Sequence, residues 1–357
     1  MNKMEDIMRF LEEKKNMIDS KIREHFPEKI GIDYLERILG KTRYEYDFDS
    51  INKCITDPVW NILGRGGKRW RPVLFLLVAK AMGTDVEKIQ DFVVIPEIIH
   101  NGTLMVDDVE DMSELRRGEP CIHKIYGEDV AINTSNFMYY IPLAILIKKR
   151  DEFDPRTLLR VYEIYTREMI NLGIGQGLDI WWHKGKADGV TEKQYLQMCS
   201  CKTGTLARMA AKMAVALSGG SGEQEEKIGR FAESIGVAFQ IQDDILSASG
   251  ERFQEKKGYG DDITEGKRTL MVIHALKKAS EKDRILLLKI LDMHTRDMKL
   301  IKEALGILQK YKSIEYAKGV AKDLVSRAWK EVDPMLPESD AKEKLKAFAD
   351  FLVERDI

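Results

Sequence analysis

Apolar residues recur along this chain at intervals of three and four, the period that lines one face of an α-helix. Near the N-terminus Ile7, Phe10 and Leu11 set this spacing, and comparable stripes return from Val73 to Phe351. Period-two alternation and hairpin series do not stand out. The breaks between stripes are short and rich in glycine and charge: "GRGGKRWRP", "ELRRGEP", "HKGKADGVT", "LSGGSGEQ" and "SGERFQEKKGYGDDITEGKRT". Such clusters read as loops. The pattern predicts an all-α protein of roughly a dozen helices, several of them long, packed around a shared interior. Pro58, Pro72, Pro120, Pro155, Pro334 and Pro337 sit at plausible helix boundaries. Pro96 and Pro142 fall inside apolar runs, where kinks are expected. No stretch is long or distinct enough to act as a linker. Residues 1–357 are therefore expected to form one domain, with 1–50 as an N-terminal helical region.

Composition narrows the function. The net charge of −2 gives no bulk electrostatic case for nucleic acid or an anionic membrane. The longest apolar runs, "VLFLLVA" (Val73 to Ala79) and "YYIPLAILI" (Tyr139 to Ile147), fall short of the about 20 residues that a span needs. No membrane span is expected, and the N-terminus lacks a signal-peptide core. Cys54, Cys121, Cys199 and Cys201 are scattered, and the CxC pair has no nearby histidine to make a zinc site. Reduced thiols in a cytoplasmic protein are the expectation.

Candidate chemistry begins at "DDVEDMSELRRG". In a helix, Asp107 and Asp111 lie one turn apart on one face with Asp108 beside them. Like charges at that spacing destabilise a helix. The preceding "FVVIPEIIHNGTLMV" is apolar on most sides and so belongs in a core. The acids are thus expected to close a buried helix, to face a cavity and to need cations. A second pair, Asp243 and Asp244, closes "FAESIGVAFQIQDD", 136 residues on from Asp107. If these helices are neighbours, the carboxylates require divalent cations, and an all-oxygen donor set favours magnesium over zinc. Basic residues gather in the breaks: Lys68, Arg69 and Arg71; Arg116 and Arg117; Lys202 with Thr203; Lys256, Lys257, Lys267 and Arg268. Clusters at loops and helix ends suit phosphate oxygens. Two acid clusters and several cation clusters around an apolar interior point to metal-bridged and directly held pyrophosphate.

The segments "GGKRWRP", "DDVED…RRG", "GQGLD", "KTG", "FQIQDD" and "KKGYGDDITEGKRT" occur in the order of the trans-isoprenyl diphosphate synthases, and the chain resembles that family over residues 64–273. "HNGTLMVDDVEDMSELRRGEPCIHKIYG" looks most like the geranylgeranyl diphosphate synthases. The resemblance implies an all-α fold around a central cavity, a homodimer, and condensation of an allylic diphosphate (dimethylallyl, geranyl or farnesyl) with isopentenyl diphosphate. It implies three Mg²⁺ ions held by Asp107, Asp111 and Asp243, with Asp108 supporting. Arg116, Lys202, Thr203, Gln240, Lys257 and Lys267 would bind the allylic diphosphate. Lys68, Arg71, His100 and Arg117 would bind isopentenyl diphosphate. Thr103, Gly102, Ile99, Tyr139 and Tyr140 would line the path that sets product length, the small pair disfavouring a stop at fifteen carbons and the tyrosines forming the floor.

One departure opens alternatives. Where the family commonly has a third aspartate, this chain has Ser247. Asp243, Ser247 and Glu251 also match the metal triad of class I terpene cyclases. A cyclase would not need Lys68, Arg71, His100 and Arg117, since it takes no second diphosphate. A farnesyl diphosphate synthase and a non-catalytic partner subunit are the other readings. The intact first acids and paired arginines weigh against the subunit.

Overall fold

The structure is a computed structural model that describes residues 3–185, 189–249 and 260–354. It is all-α, as the apolar period predicts, with short helical pieces added to the expected dozen. The described residues fall into two compact units. One comprises Met1–Tyr165, Met209–Glu225 and Pro337–Leu345; the other comprises Thr166–Arg208, Glu226–Leu336 and Lys346–Ile357.

In the first unit, helix Trp70–Ala81 is buried along nearly its whole length, and an all-round apolar sequence allows nothing else. Helix Lys3–His25 is amphipathic. It buries Ile7, Leu11, Ile18 and Ile22 and packs on both Trp70–Ala81 and Val94–Glu110. Its end is pinned by buried Asp91, which Lys21 and Lys149 approach to 2.8 and 2.9 Å. Glu24, His25 and Asp91 could group around a metal, but those two ammonium groups already cover the Asp91 carboxylate.

Pro96 makes no kink. It lies in the first turn of Val94–Glu110, where a missing N–H costs nothing. Pro142 does interrupt its run, in the 3₁₀ turn Ile141–Leu143 between helices Glu128–Tyr140 and Ala144–Lys148. Together, Glu128–Lys148 reaches the length and apolar composition of a membrane span, which the nine-residue run in the sequence did not suggest. Its Ala131, Thr134, Ser135 and Met138 are buried, and the helix Glu128–Tyr140 packs on Val94–Glu110.

The second unit contains the end of helix Pro155–His183 and most of Gly222–Ser249. Helices Leu270–Lys278, Glu281–Asp292, Met298–Lys310 and Ser313–Val332 pack on one another. Their starts are written locally. Thr269, Ser280 and Asp297 each accept a hydrogen bond from a first-turn N–H, and Thr191 with Gln194 forms a full capping box. Each such cap contributes about 1 kcal/mol.

Two expectations need correction. The "ELRRGEP" break is a small hairpin, Leu115–Arg116 against Glu119–Pro120. Arg117 and Gly118 turn it with φ of 57° and 82°, the backbone a two-residue hairpin requires. Asp243 and Asp244 do not close their helix, which continues to Ser249.

Candidate active site

The first acids answer their own charge problem. Asp108 is fully buried, and the hairpin returns Arg116 to it, with Nε donating to the two carboxylate oxygens at 2.9 and 3.2 Å. A second guanidinium nitrogen also donates to Asp108 and lies 3.8 Å from Asp107. Burial opposes the Arg116 charge, but Asp108 and then Asp107 more than offset it and hold its pKa above the usual arginine value. Arg116, expected at the allylic diphosphate, meets the acid cluster in this structure. Asp107 and Asp111 remain half-buried, one turn apart, with Asp111 capping the helix. Thr103 and His100 continue that half-open stripe towards the N-terminus.

Beside it, in the same unit, lies a nest of like charge. Gly66, Gly67 and Arg69 all have positive φ. This tight turn sends alternate basic side chains different ways. Arg69 goes inward and is fixed by Asp19 at 2.9 Å, Glu97 at 2.8 Å and the Leu63 carbonyl at 3.0 Å. Arg71 is buried, its guanidinium 4.4 Å from the Trp70 ring centroid. Lys68 is exposed at the rim. Arg117 donates to the Ile62 and Gly66 carbonyls, so it and Arg116 point apart. Gly67 is where these meet: a Cβ there would sit 3.2 Å from Arg117 and 3.3 Å from Arg69. Burial lowers the Arg117 pKa to about 10; Arg69, Arg116 and Arg65 push the same way, with only Glu97 opposing. His100 is driven well below its ordinary value by burial and then by Arg71, Arg117, Arg116 and Arg69. Its imidazole is neutral. Cationic groups that repel each other in this way are relieved by an anion.

The second unit carries another polar cluster. Lys202 and Thr203 ride on a π-helical turn, Ser200–Gly204, between helices Glu192–Cys199 and Thr205–Leu217. Such turns re-aim side chains and are frequent at functional sites. Lys202 pairs with Asp179 at 2.5 Å. Thr203 donates to Gln240 at 2.8 Å, and Gln240 donates to Asp244 at 2.8 Å. Tyr195 donates to the other Asp244 oxygen at 2.7 Å. These residues, with Lys267 and Arg268, line one cleft. Burial raises the Asp244 pKa to about 8, helped by the nearby Asp262. Asp243 is half-buried on the same helix. Ser247, one turn on, is buried with a hydroxyl that finds no hydrogen-bond partner among the described residues. Lys257 and Glu251 lie outside the described residues.

The "GQGLD" segment supports the turn that carries Lys202. Asp179 is the partner of Lys202, and Gly175 is where the turn rests: a Cβ there would run into the Lys202 backbone. Gly177 faces open space. Gly175→Ala is therefore expected to cost about 1–3 kcal/mol by overpacking. Gly177→Ala should be neutral or stabilising by up to about 1 kcal/mol. Denaturant unfolding of the two variants checks the opposite signs.

The residues expected to set product length divide. Tyr139 is half-buried with its ring against Gly102, and its pKa is raised by burial and then by Glu110 and Asp107. Its carbonyl accepts from Tyr165 at 2.6 Å. Tyr140 is 69% exposed and does not join it. Gly102 is not an opening along the helix, because a Cβ there would lie 2.9 Å from that of Met138. Its smallness lets two helices touch. Thr103 stays half-open and Ile99 is fully buried.

Residues 52–308 match the Polyprenyl synthetase family. The chain belongs to that family. This polyprenyl synthetase is a prenyltransferase with the all-α isoprenoid-synthase fold. It is 38% identical to the short chain isoprenyl diphosphate synthase of Methanothermobacter thermautotrophicus over 296 residues, 83% of this chain and 89% of that one. It is 31% identical to the geranylgeranyl diphosphate synthase of Methanosarcina mazei over 295 residues, 83% and 88% of the two chains. The geranylgeranyl pyrophosphate synthetase of Pyrococcus horikoshii superposes with a TM-score of 0.84 at 32% identity, covering 99% of this chain and all of that one. Divalent metal is the family's means of binding diphosphate.

Proposed function

We propose that this polyprenyl synthetase joins an allylic diphosphate to isopentenyl diphosphate and releases geranylgeranyl diphosphate, with residues 1–357 acting as one synthase domain. The observation that carries the reading is that each unit has its own cationic cluster: the nest of Arg71, Arg117 and neutral His100 in one, and Lys202, Thr203 and Lys267 in the other. Two anion sites fit two diphosphate substrates. A cyclase or a non-catalytic subunit has no use for both.

The donors fit magnesium. Asp108 is spent on Arg116, which leaves the half-buried oxygens of Asp107 and Asp111 as the first acid site. Carboxylate donors of this kind select a hard cation. Asp107 and Asp111, with Asp243, would hold three Mg²⁺ ions. When bound, these neutralise the charge that grows on the leaving pyrophosphate. Lys202, Thr203, Gln240 and Lys267, with Lys257, would orient the allylic diphosphate; Arg116 would act mainly by fixing Asp108. Lys68, Arg71, His100 and Arg117 would hold isopentenyl diphosphate with its double bond towards the allylic carbon. As the allylic C–O bond breaks, the apolar surroundings would keep water from the allylic cation; the isopentenyl double bond attacks that cation to form the new C–C bond, and the departing pyrophosphate takes the proton that is then lost. No side chain needs to become a covalent nucleophile. The geranylgeranyl synthase relatives from Methanosarcina and Pyrococcus support the twenty-carbon product.

Helix Pro155–His183 exposes Leu159, Tyr162, Ile170, Ile174 and Trp181, an apolar stripe that supports a homodimer. Free thiols at Cys54, Cys121, Cys199 and Cys201 support a cytoplasmic setting.

Arg117→Gln or Lys68→Gln is expected to raise the KM for isopentenyl diphosphate about 10- to 100-fold, the worth of a hydrogen bond to a charged group. The KM for the allylic substrate should stay within about twofold. Steady-state kinetics with each substrate varied in turn tests this, and a change confined to the allylic substrate would show the two sites exchanged. Omitting isopentenyl diphosphate should abolish product. A cyclic product made without it would establish the cyclase.

A further inference from the structure

Arg208 and its partners lie outside everything assigned above. Arg208 is 8% exposed, and its Nε donates to both oxygens of buried Glu168 at 2.9 Å. One terminal nitrogen reaches Glu168 at 2.6 Å. The other reaches Glu233 at 2.5 Å and the Ser200 hydroxyl at 3.2 Å. Ser200 itself donates to Glu233 at 2.7 Å. Thr205 donates to the Glu168 carboxylate at 2.6 Å and to its carbonyl at 3.0 Å. All five residues belong to the second unit.

The chain order matters. Ser200 opens the π-turn and Thr205 follows its end, so the ion triad grips both flanks of the segment that presents Lys202 and Thr203. Glycines complete the clamp. A Cβ on Gly236 would meet the Gly204 backbone, as one on Gly175 would meet Lys202. Stability does not explain the triad. Desolvating charges consumes most of what their attraction returns, and a well-packed apolar replacement of such a cluster is often as stable or more so. What apolar side chains cannot reproduce is direction: five N–H donors in a rigid plane fix where their acceptors sit.

We infer that Arg208, Glu168 and Glu233 are positioning residues that hold the Ser200–Gly204 turn, and with it Lys202 and Thr203, in register for the allylic diphosphate. This rests on Lys202 and Thr203 binding that substrate, as proposed above. The α-helix that the sequence would otherwise prefer carries one residue fewer per turn than the π form, so the clamp selects the less common geometry.

The test compares the triple variant Arg208→Met, Glu168→Met, Glu233→Met with Arg208→Lys and with Lys202→Ala. Geranyl diphosphate serves as the allylic substrate and inorganic pyrophosphate with magnesium as a calorimetric probe. The triple variant is expected to keep its melting temperature within about 5 °C. Its KM for geranyl diphosphate should rise about tenfold and its pyrophosphate affinity fall about as much, the loss of one well-placed charged contact. The KM for isopentenyl diphosphate should be unmoved. Arg208→Lys keeps the charge and loses the fork, and should fall between the triple variant and the wild type; if the triple variant does not fold, it decides alone. Unchanged geranyl diphosphate KM in these variants, while Lys202→Ala raises it, would overturn the clamp and leave the site reading standing. An unchanged value in Lys202→Ala would overturn the site reading, and the clamp with it.

Discussion

Asp107→Ala and Asp243→Ala are each expected to lower turnover by about 10³-fold, since an ion held at the diphosphate supplies several kcal/mol of charge stabilisation. Neither variant should be less stable than the wild type. Asp107 shares its helix turn with Asp108 and Asp111, so removing it relieves repulsion. Asp108→Ala should behave in the opposite way. It would leave Arg116 buried without its bidentate partner, a change that costs about 3–5 kcal/mol. Two neighbouring aspartates thus divide by measurement. Kinetics single out Asp107, and thermal or denaturant unfolding singles out Asp108. Activity undiminished by a chelator, or full turnover in either of the first two variants, would remove the magnesium assignment.

Product length should move with Tyr139 and Thr103. The Tyr139 ring stands against Gly102 and close to the charge of Asp107, at a level where a growing chain passing Thr103 would meet it. Tyr139→Ala is expected to lengthen the product by one or more five-carbon units, because the stop is steric and a ring's volume is large beside an isoprene unit. Tyr140→Ala should leave the product distribution alone, as its side chain is exposed. Thr103→Phe should shorten the product towards fifteen carbons. Chromatography of dephosphorylated products reads all three variants. A wild-type enzyme that stops at fifteen carbons, or an unchanged product from Tyr139→Ala, would rule out this account of length control.

The helical plan was legible because burial imposes its period on side chains over many residues. Asp107, Asp108 and Asp111 were legible because their repulsion demanded an explanation, and Arg116 supplies part of it at short range. What was not legible is direction within a cluster. "GGKRWRP" shows several cations, but the left-handed backbone at Arg69 decides that this residue turns inward to Asp19 and Glu97 while Lys68 stays at the rim. Two-residue strands leave no alternation to find, so nothing in the sequence separates this hairpin from a loop. Gly102 looked like room for substrate, and the neighbouring helix fills that room. Arg208 sits within an apolar run, where one basic residue among alanines and methionines looks like a surface position. Its partners Glu168 and Glu233 are 40 and 25 residues away, and only the fold brings them together.

The π-turn makes one stretch of this chain intolerant of a kind of change that other surface breaks absorb. From Glu192 to Leu217 the backbone passes from helix to turn to helix without a loop. Deleting one residue between 200 and 204 would remove the one that the π form carries in excess and leave an uninterrupted α-helix with the residues beyond near their present faces. Adding one has no such slack and would rotate everything beyond by about 100°. Ala207, Met209, Ala210, Met213 and Ala214, all buried now, would then leave their places. Point substitutions here alter one contact each; a gain in length alters the whole helix that follows. The segment is frame-locked in one direction: a single-residue gain should be fatal between 200 and 204 while the loop at 218–221 accepts it, and a single-residue loss should keep the fold and forfeit the aim of Lys202 and Thr203.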